Sequence, residues 1–307
     1  MKKGFISLVA VIASKRLACV SLCLMLCLIT VSAQVKLSFN PESGAKYEYR
    51  MEMVQNIKQN VGGQEIPIET EMNGACLMEI KDKTPQEIHA QFIYQEFTFL
   101  VSSSMMKIRY DSKISIENPS EMDKVFEKMF STLIGKPFTV IFAPDGSVKS
   151  VSGMDAIIEN MLGAISADGQ DATQIGAQMS QQFSDEAMKN MFGQSFNFYP
   201  ANAVKVGDSW NIENTIPMNN MKIGIKTKNT LKEVGTNKVT IEVVGDLDVE
   251  EGKFTGTQTG TIIVDTTTGL PETSDISQNM KGAIKVQGMD IQMEMISKIK
   301  TSVKEIN

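Results

Sequence analysis

Residues 46–53 read KYEYRMEM, with a large apolar side chain at every second position and a charged one between them. Successive side chains of an extended chain point to opposite faces, so this alternation predicts a β-strand with one buried face. Gly62-Gly63 follows as a turn, and the alternation resumes from Ile66 to Ile80. The two segments therefore predict the first hairpin of an antiparallel sheet, with strands longer than the usual five or six residues.

The same period of two continues around this hairpin and returns late in the chain. It covers residues 88–94 and 106–110, and it resumes after the turn at Gly207-Asp208. Long strands must twist, which favours a curved sheet. We predict a mainly β (α+β) fold that has long antiparallel, strongly curved sheets or two related β units. Amphipathic helices from the middle of the chain are expected to pack on the sheet.

The middle of the chain has the period of an α-helix. Ser120 is a suitable N-cap for a helix that ends before Gly135 and Pro137, and a second helix follows near Met154. A third helical pattern runs through residues 175–183, and Ser184 is a suitable N-cap for another helix. The first two helices place apolar residues on one face, namely Met122, Val125, Phe126, Met129, Phe130 and Leu133, and then Met154, Ile157, Ile158, Met161 and Leu162.

The first 33 residues have the pattern of a secretory signal. Basic residues precede an apolar run at 17–31. Small residues occupy the end of this run at Val31 and the position Ala33 just after it. We expect cleavage near Ala33 and a periplasmic or secreted protein. An uncleaved anchor and lipidation at Cys19 are the alternatives. The remainder divides into an N-terminal β unit (34–118), a helical connecting region with a short β-hairpin (119–197) and a C-terminal β unit (198–307).

Charge and cysteine content restrict the partners. The leader holds four basic and no acidic residues, so the remainder has 26 Lys and Arg against 36 Asp and Glu. This acidic balance argues against nucleic acid or an anionic membrane surface as a partner. Cleavage leaves Cys76 as the sole cysteine, so no disulfide can form within the mature chain.

The residues that usually carry catalysis are scarce. His89 is the one histidine, which excludes a site built on several histidines. It is expected on the polar face of its strand, whereas Cys76 is expected in the core. The acidic pairs Glu250-Glu251 and Asp185-Glu186 suit solvated positions, and residues 168–171 lack the closing glutamate of a calcium loop. We expect no enzyme activity, no cofactor and no metal.

Methionine is unusually frequent. Met1 and Met25 lie in the leader, which leaves 19 of the 21 methionines. They are interpreted as core filling, as an adaptable pocket for acyl chains or varied partners, or as thioether ligands for copper(I). The candidate ligand-binding residues are Met122, Phe126, Met129, Phe130, Met154, Ile158 and Met161.

Several turns and strand starts resemble a known family. These are Gly44-x-x-Tyr47-x-Tyr49, Gly62-Gly63-Gln64, Tyr110-Asp111-Ser112 and Val204-Lys205-Val206-Gly207-Asp208-Ser209-Trp210. Together they resemble an uncharacterised family of secreted β-rich proteins of Bacteroidetes-type bacteria, a domain of unknown function. Asp265-Thr266-Thr267 resembles an O-glycosylation acceptor of such bacteria.

A shorter stretch resembles a different fold. Ile262-Ile263-Val264-Asp265 with Gly269-Leu270-Pro271 is similar to a hairpin of periplasmic lipoprotein-carrier folds, in which a curved sheet wraps helices and holds acyl chains. This is a likeness of fold alone.

These observations favour a non-enzymatic binding or carrier module for a hydrophobic ligand. The expected partner is an apolar small molecule or lipid, or an envelope protein, and not nucleic acid. An envelope protein–protein interaction module is the first alternative, and a carboxylate-based hydrolase is the second. A core without space for a ligand would contradict the leading hypothesis.

Overall fold

The alternating segments form the strands of one antiparallel sheet. The computed structural model describes residues 34–166, 183–218, 221–249, 253–286 and 289–306. Its strands are β1 (Lys46–Val61), β2 (Gln64–Lys83), β3 (Ile88–Ser103), β4 (Lys107–Asp111), β5 (Pro137–Phe142), β6 (Val148–Ser152), β7 (Ser209–Met218), β8 (Met221–Val234), β9 (Lys238–Val249), β10 (Phe254–Asp265), β11 (Pro271–Val286) and β12 (Met289–Ile306).

The strand order joins the two β regions of the sequence. It runs β6-β5-β3-β2-β1-β12-β11-β10-β9-β8-β7, and β4 pairs with β3 beside this path. Strand β1 pairs along nearly its whole length with β12, so the first and last strands lie at the centre of the sheet. The order ends at two edges, β6 and β7. The predicted mainly β, antiparallel fold with long strands is confirmed.

Three helices occur in the part of the chain that the structure describes: α1 (Glu121–Ser131), α2 (Met154–Ser166) and α3 (Asp185–Phe196). The Ser120 hydroxyl accepts a hydrogen bond from the Asp123 amide, and the Asp123 carboxylate accepts one from the Ser120 amide. This reciprocal capping box fixes the start of α1 where the sequence predicts it. Ser184 caps α3. Most of the pattern predicted through residues 175–183 lies outside the described residues.

Helix α3 contacts both edges of the sheet. It packs along β6, and it also contacts β7 and α2. The residues after α3 form hydrogen bonds with β7. The Trp210 indole donates to the Phe198 carbonyl at 2.8 Å, and the side-chain Nδ2 of Asn197 donates to Oδ1 of Asn214 at 3.0 Å. The ends of the sheet are thus linked through one helix rather than by strand pairing.

An extended segment before β1 ties two hairpin turns together. The Phe39 amide donates to the Pro144 carbonyl at 2.9 Å, and the Asn40 amide donates to the Thr268 carbonyl at 2.7 Å. The Phe39 ring is fully buried, and its centroid lies 4.7 Å from that of Phe142. Burial of a phenylalanine removes a large apolar area from water, so this segment anchors the chain between β5–β6 and β10–β11.

Two glycines allow close packing of strands β10 and β11. A Cβ atom on Gly256 would lie 2.4 Å from the Asn279 carbonyl oxygen, and one on Gly260 would lie 2.3 Å from the Asp275 oxygen. The sequence suggests a bulge or a bend at these glycines. The strand register runs past both without a bulge, and the one shift falls between Ile263 and Val264. The glycines are therefore required by close approach of the neighbouring strand.

The domain boundaries stay predictions. Residues Lys36–Asn307 form one compact unit, and Met1–Val35 are assigned to another. The predicted signal peptide lies outside the described residues. Within the described residues, no helix is both long and apolar enough to span a membrane.

Candidate functional site

A small apolar cavity lies between the helices and the inner face of the sheet. Its volume is about 30 Å³. We call it the methionine pocket, because six of its eleven lining residues are methionines. The lining residues are Met51, Met72, Tyr94, Phe97, Phe130, Leu133, Met154, Met161, Phe183, Met188 and Met191.

Each wall of the methionine pocket is positioned by a different element. The sheet contributes Met51 from β1, Met72 from β2, and two aromatic residues from β3. Register places Met51 opposite Gly74, the neighbour of Met72 on the same face of β2. The helices contribute Phe130, Met154, Met161, Met188 and Met191, and Leu133 and Phe183 come from segments that flank α1 and α3. The pocket therefore forms only when the helices pack on the central strands.

The starts of α2 and α3 are held together by reciprocal hydrogen bonds. The Met154 amide donates to the Asp185 carboxylate at 2.8 Å, and the Asp185 amide donates to the Asp155 carboxylate at 3.1 Å. Backbone amides at helix N-termini favour negative charge, so each carboxylate stabilises the helix it meets. This arrangement fixes Met154 and, through α3, Met188 at the pocket. The predicted solvated role of Asp185 is thus only partly correct, because its carboxylate joins two helices.

Helix α1 is anchored to the sheet through Asp123. Its carboxylate accepts hydrogen bonds from the Arg109 amide at 2.7 Å and from the Arg109 guanidinium at 2.8 Å. Burial alone would raise the pKa of Asp123, but these bonds and those from Ser120 outweigh it and lower the pKa to about 2. Asp123 therefore stays charged near neutral pH, which holds α1 and its residue Phe130 against β4 and the pocket.

The candidate residues fall into three groups. Phe130, Met154 and Met161 line the methionine pocket. Met129 and Ile158 are buried in the core without lining it, and Phe126 is half-buried with its ring stacked on Phe99, 5.8 Å between centroids. Met122 is 44% exposed, because it sits at the start of α1 on the solvent side.

Sequence reasoning missed the sheet side of the pocket. Met51 and Met72 follow the period-two alternation, which predicts a buried face and nothing more, and Met188 and Met191 lie in the helix that is expected to start at Ser184. The packing of the helices on the β1–β2 hairpin brings these residues together, and no local pattern encodes this packing. The abundance of methionine was the one available signal.

The ionisable groups beside the methionine pocket are neutral near neutral pH. Tyr94 lines it, and burial raises the pKa of its phenol well above the usual value. Burial likewise raises the pKa of the Cys76 thiol, and it raises the pKa of Tyr49 to about 12 despite a hydrogen bond with Ser195. Burial disfavours the charged form of each group. The pocket and its surroundings thus favour an uncharged, apolar occupant.

The cavity is far smaller than a pocket that already fits a ligand. Small-molecule sites enclose about 300–1,000 Å³, whereas this cavity is about 30 Å³. An unfilled volume of this size costs about 0.7 kcal/mol, taking about 24 cal/mol per Å³. The core therefore has no preformed space for a ligand, which counts against the hypothesis of a ready-made binding cavity. A larger occupant must displace side chains, and methionine is suited to this because its unbranched chain adopts many rotamers at low cost.

The residues that could carry catalysis are dispersed. His89 is half-buried and its Nε2 atom lies 3.3 Å from a Glu87 carboxylate oxygen. Cys76 is buried on the core face, as predicted. In the described part of the chain, no three His, Cys, Asp or Glu side chains lie close enough to hold a metal ion. Glu250-Glu251 and residues 168–171 lie outside the described residues.

Comparison with protein families identifies the chain. The Family of unknown function (DUF6263) matches residues 86–271, which is more than half of the sequence. The chain belongs to the DUF6263 family. The predicted membership of a domain family of unknown function is confirmed at this level. No curated protein matches the sequence.

Solved structures give only distant likenesses to this DUF6263 chain. A lipovitellin structure on lipid–protein interactions is 8% identical with a TM-score of 0.49, and the match covers 86% of this chain and 25% of lipovitellin. The TodX monoaromatic hydrocarbon channel is 10% identical with a TM-score of 0.32, over 89% and 96% of the two chains. Pseudomonas aeruginosa OccK7 is 7% identical with a TM-score of 0.24, over 86% and 100%. At these TM-scores none of the likenesses carries an argument about function.

Proposed function

We propose that this protein is a non-enzymatic binding module for a hydrophobic ligand, which enters the methionine pocket. The observation that carries the proposal is the lining itself: six methionines from two strands and two helices converge on one apolar cavity. Methionine combines apolar surface with conformational freedom, which suits a site that opens for chains of varied shape. We further propose a periplasmic or secreted location, in keeping with the leader pattern of residues 1–33.

Ligand entry must enlarge the pocket. The ligand then replaces methionine–methionine contacts with methionine–ligand contacts, and its apolar surface leaves water at about 25 cal/mol per Å². A ligand that buries about 200 Å² in this way would gain about 5 kcal/mol. The costs of association and of rearranging side chains offset part of this gain, so a long apolar group that buries more area is favoured over a short one.

The test is saturable binding of an apolar fluorophore, N-phenyl-1-naphthylamine, to the mature chain stripped of lipid by organic extraction and refolding. The pocket variant exchanges two half-buried lining methionines for the similarly sized glutamine, Met72→Gln with Met191→Gln. The control exchanges two exposed methionines at the β3–β4 turn, Met105→Gln with Met106→Gln.

We expect saturable binding with one fluorophore per chain, at least tenfold weaker in the pocket variant and changed less than twofold in the control. Burying the polar amides against an apolar ligand costs more than 1 kcal/mol each, which is the reason for the difference. Absence of saturable binding, or equal affinity in both variants, would overturn the proposal. Circular dichroism and urea unfolding establish that each variant is folded.

A further inference from the structure

A row of neutral polar side chains crosses the inner face of the sheet next to the methionine pocket. Register places Thr70 opposite Gln55, Gln55 opposite Ser297, Ser297 opposite Gln278, and Gln278 opposite Gln258. These five residues, from β2, β1, β12, β11 and β10, are here called the polar row. Side chains directly opposite each other on antiparallel strands are neighbours, so the row is continuous across five strands.

The polar row is largely buried and only partly paired internally. Ser297 and Gln258 are buried, and the other three side chains are half-buried. The Gln55 amide donates to the Ser297 hydroxyl at 3.2 Å, and the Gln278 amide donates to the Gln258 side-chain oxygen at 3.1 Å. Each glutamine has two N–H donors and an acceptor oxygen. Among the described residues, these two bonds use only part of the hydrogen-bonding capacity of the three amides, which leaves donors and acceptors for another molecule.

Apolar rows flank the polar row on both sides. On one side the register aligns Met72, Met53, Ile299 and Ile276, and on the other side it aligns Ile68, Ile57, Met295 and Met280. Met280 belongs to a second buried cluster with Ile225, Leu247 and Phe254, against which Met293 and Met295 pack. Rows on one face are about 7 Å apart, twice the rise per residue. Since Met72 lines the methionine pocket, the polar row lies about one such step from it.

The inner face around the polar row is uncharged. In β1 (residues 51–59) and β12 (residues 293–301), the odd-numbered side chains point to the inner face. In β2 (residues 66–74), β10 (residues 254–262) and β11 (residues 274–282), the even-numbered side chains do so. None of these positions holds Asp, Glu, Lys or Arg. The opposite face of the same strands carries charges such as Glu52, Lys298 and Asp275. In this region of the described chain, all charged side chains of the five strands lie on the face opposite the polar row.

This arrangement discriminates between classes of amphipathic molecule. A carboxylate or phosphate group placed at the polar row would be removed from water without an opposite charge, which is strongly unfavourable. An ester, amide or hydroxyl group would exchange hydrogen bonds with water for bonds with the glutamine amides and hydroxyls. A purely apolar chain would form no hydrogen bonds with the side chains of the polar row.

We propose that the ligand is an uncharged amphipathic lipid of the acylglycerol type, with its chain in the methionine pocket and its ester and hydroxyl groups at the polar row. This inference rests on the proposed function of the methionine pocket and adds the chemical class of the ligand. The apolar rows beyond the polar row extend the surface along which a second portion of the chain can lie.

The test compares three molecules of equal chain length at pH 8 and below their aggregation concentrations: monoolein, oleate and 1-octadecene. Each displaces N-phenyl-1-naphthylamine from the extracted mature protein. The polar-row variant is Gln55→Leu with Gln278→Leu, and the control is Asn56→Leu, which lies one residue along β1 on the exposed, opposite face.

We expect the wild-type protein to bind monoolein about tenfold more tightly than oleate or 1-octadecene, since one or two neutral hydrogen bonds are worth about that factor. The polar-row variant should lose its preference for monoolein over 1-octadecene, because this preference depends on the glutamine hydrogen bonds, and the control should keep it. Equal affinity of the wild type for monoolein and oleate would overturn the inference about the ligand class, and the proposed binding of a hydrophobic ligand in the methionine pocket would still stand. A polar-row variant that keeps the preference would also overturn it. Failure of all three molecules to displace a fluorophore that does bind would overturn this inference alone, whereas absence of fluorophore binding would overturn the proposed function as well.

Discussion

Removal of one pocket methionine tests whether the helices pack on the sheet as described. Met161 lies on α2, its side chain is 2% exposed, and it lines the methionine pocket. In Met161→Ala the Cγ, Sδ and Cε atoms are lost, and the other residues that line the pocket belong to three strands and three helices, which cannot all move inward together. The substitution therefore leaves much of the lost volume empty.

The structure gives an expected magnitude. Three buried methylene-sized groups at about 0.8 kcal/mol each amount to about 2.4 kcal/mol, before any cost of the added cavity. Buried methionine-to-alanine changes cost about 2–5 kcal/mol when the site cannot collapse. We expect the free energy of unfolding to fall by about 3 kcal/mol.

Urea unfolding followed by circular dichroism measures the loss as a change in midpoint at constant slope. Met122→Ala is the matched control, because this methionine belongs to the neighbouring helix but is 44% exposed. Its cost should stay below about 0.5 kcal/mol, as for other surface positions. Equal costs for the two substitutions would refute the packing of α2 at the pocket.

Three further predictions concern the sheet and its ionisable groups. Gly256→Ala should destabilise the fold by at least about 2 kcal/mol, since its Cβ would meet the Asn279 oxygen at 2.4 Å; a urea midpoint like that of the wild type would contradict this. Because the Asp123 pKa is lowered from 3.8 to about 2, its contribution to stability should be complete above pH 3.8 and lost as the pH falls through about 2. Unfolding curves measured across this range should lose that part of their pH dependence in Asp123→Asn, and an unchanged dependence would refute the assignment. The Cys76 thiol should not react with Ellman's reagent until urea unfolds the protein, because burial raises its pKa; rapid reaction in the native protein would show that the core is open.

Local patterns were enough to predict most strands and the helix starts. The alternation in residues 46–53 corresponds to β1, and Ser120 and Ser184 cap α1 and α3 as expected. These features depend on neighbouring residues alone, either through the two-residue repeat of a strand or through bonds within one helical turn. They are therefore readable without knowledge of the tertiary structure.

Features that depend on distant pairing were not predictable. The polar row requires the register of five strands, and Gln55 and Ser297 are separated by 242 positions. Asp123 reads as an ordinary helix residue, yet it is buried because Arg109 of β4 packs over it. Met122 fits the apolar face of α1 by spacing, but its side chain is 44% exposed, whereas its neighbour Asp123 is buried. In each case tertiary packing decides what the sequence pattern leaves open.

The most direct test of ligand binding in the methionine pocket is NMR of residues 34–307, labelled with ¹³C at the methionine methyl groups and titrated with monoolein. We predict saturable shifts of the six pocket methionines, Met51, Met72, Met154, Met161, Met188 and Met191, while the exposed Met105 and Met106 stay unchanged. Unperturbed pocket methyl signals at saturating monoolein, or shifts confined to the exposed methionines, would contradict a ligand site between the helices and the sheet.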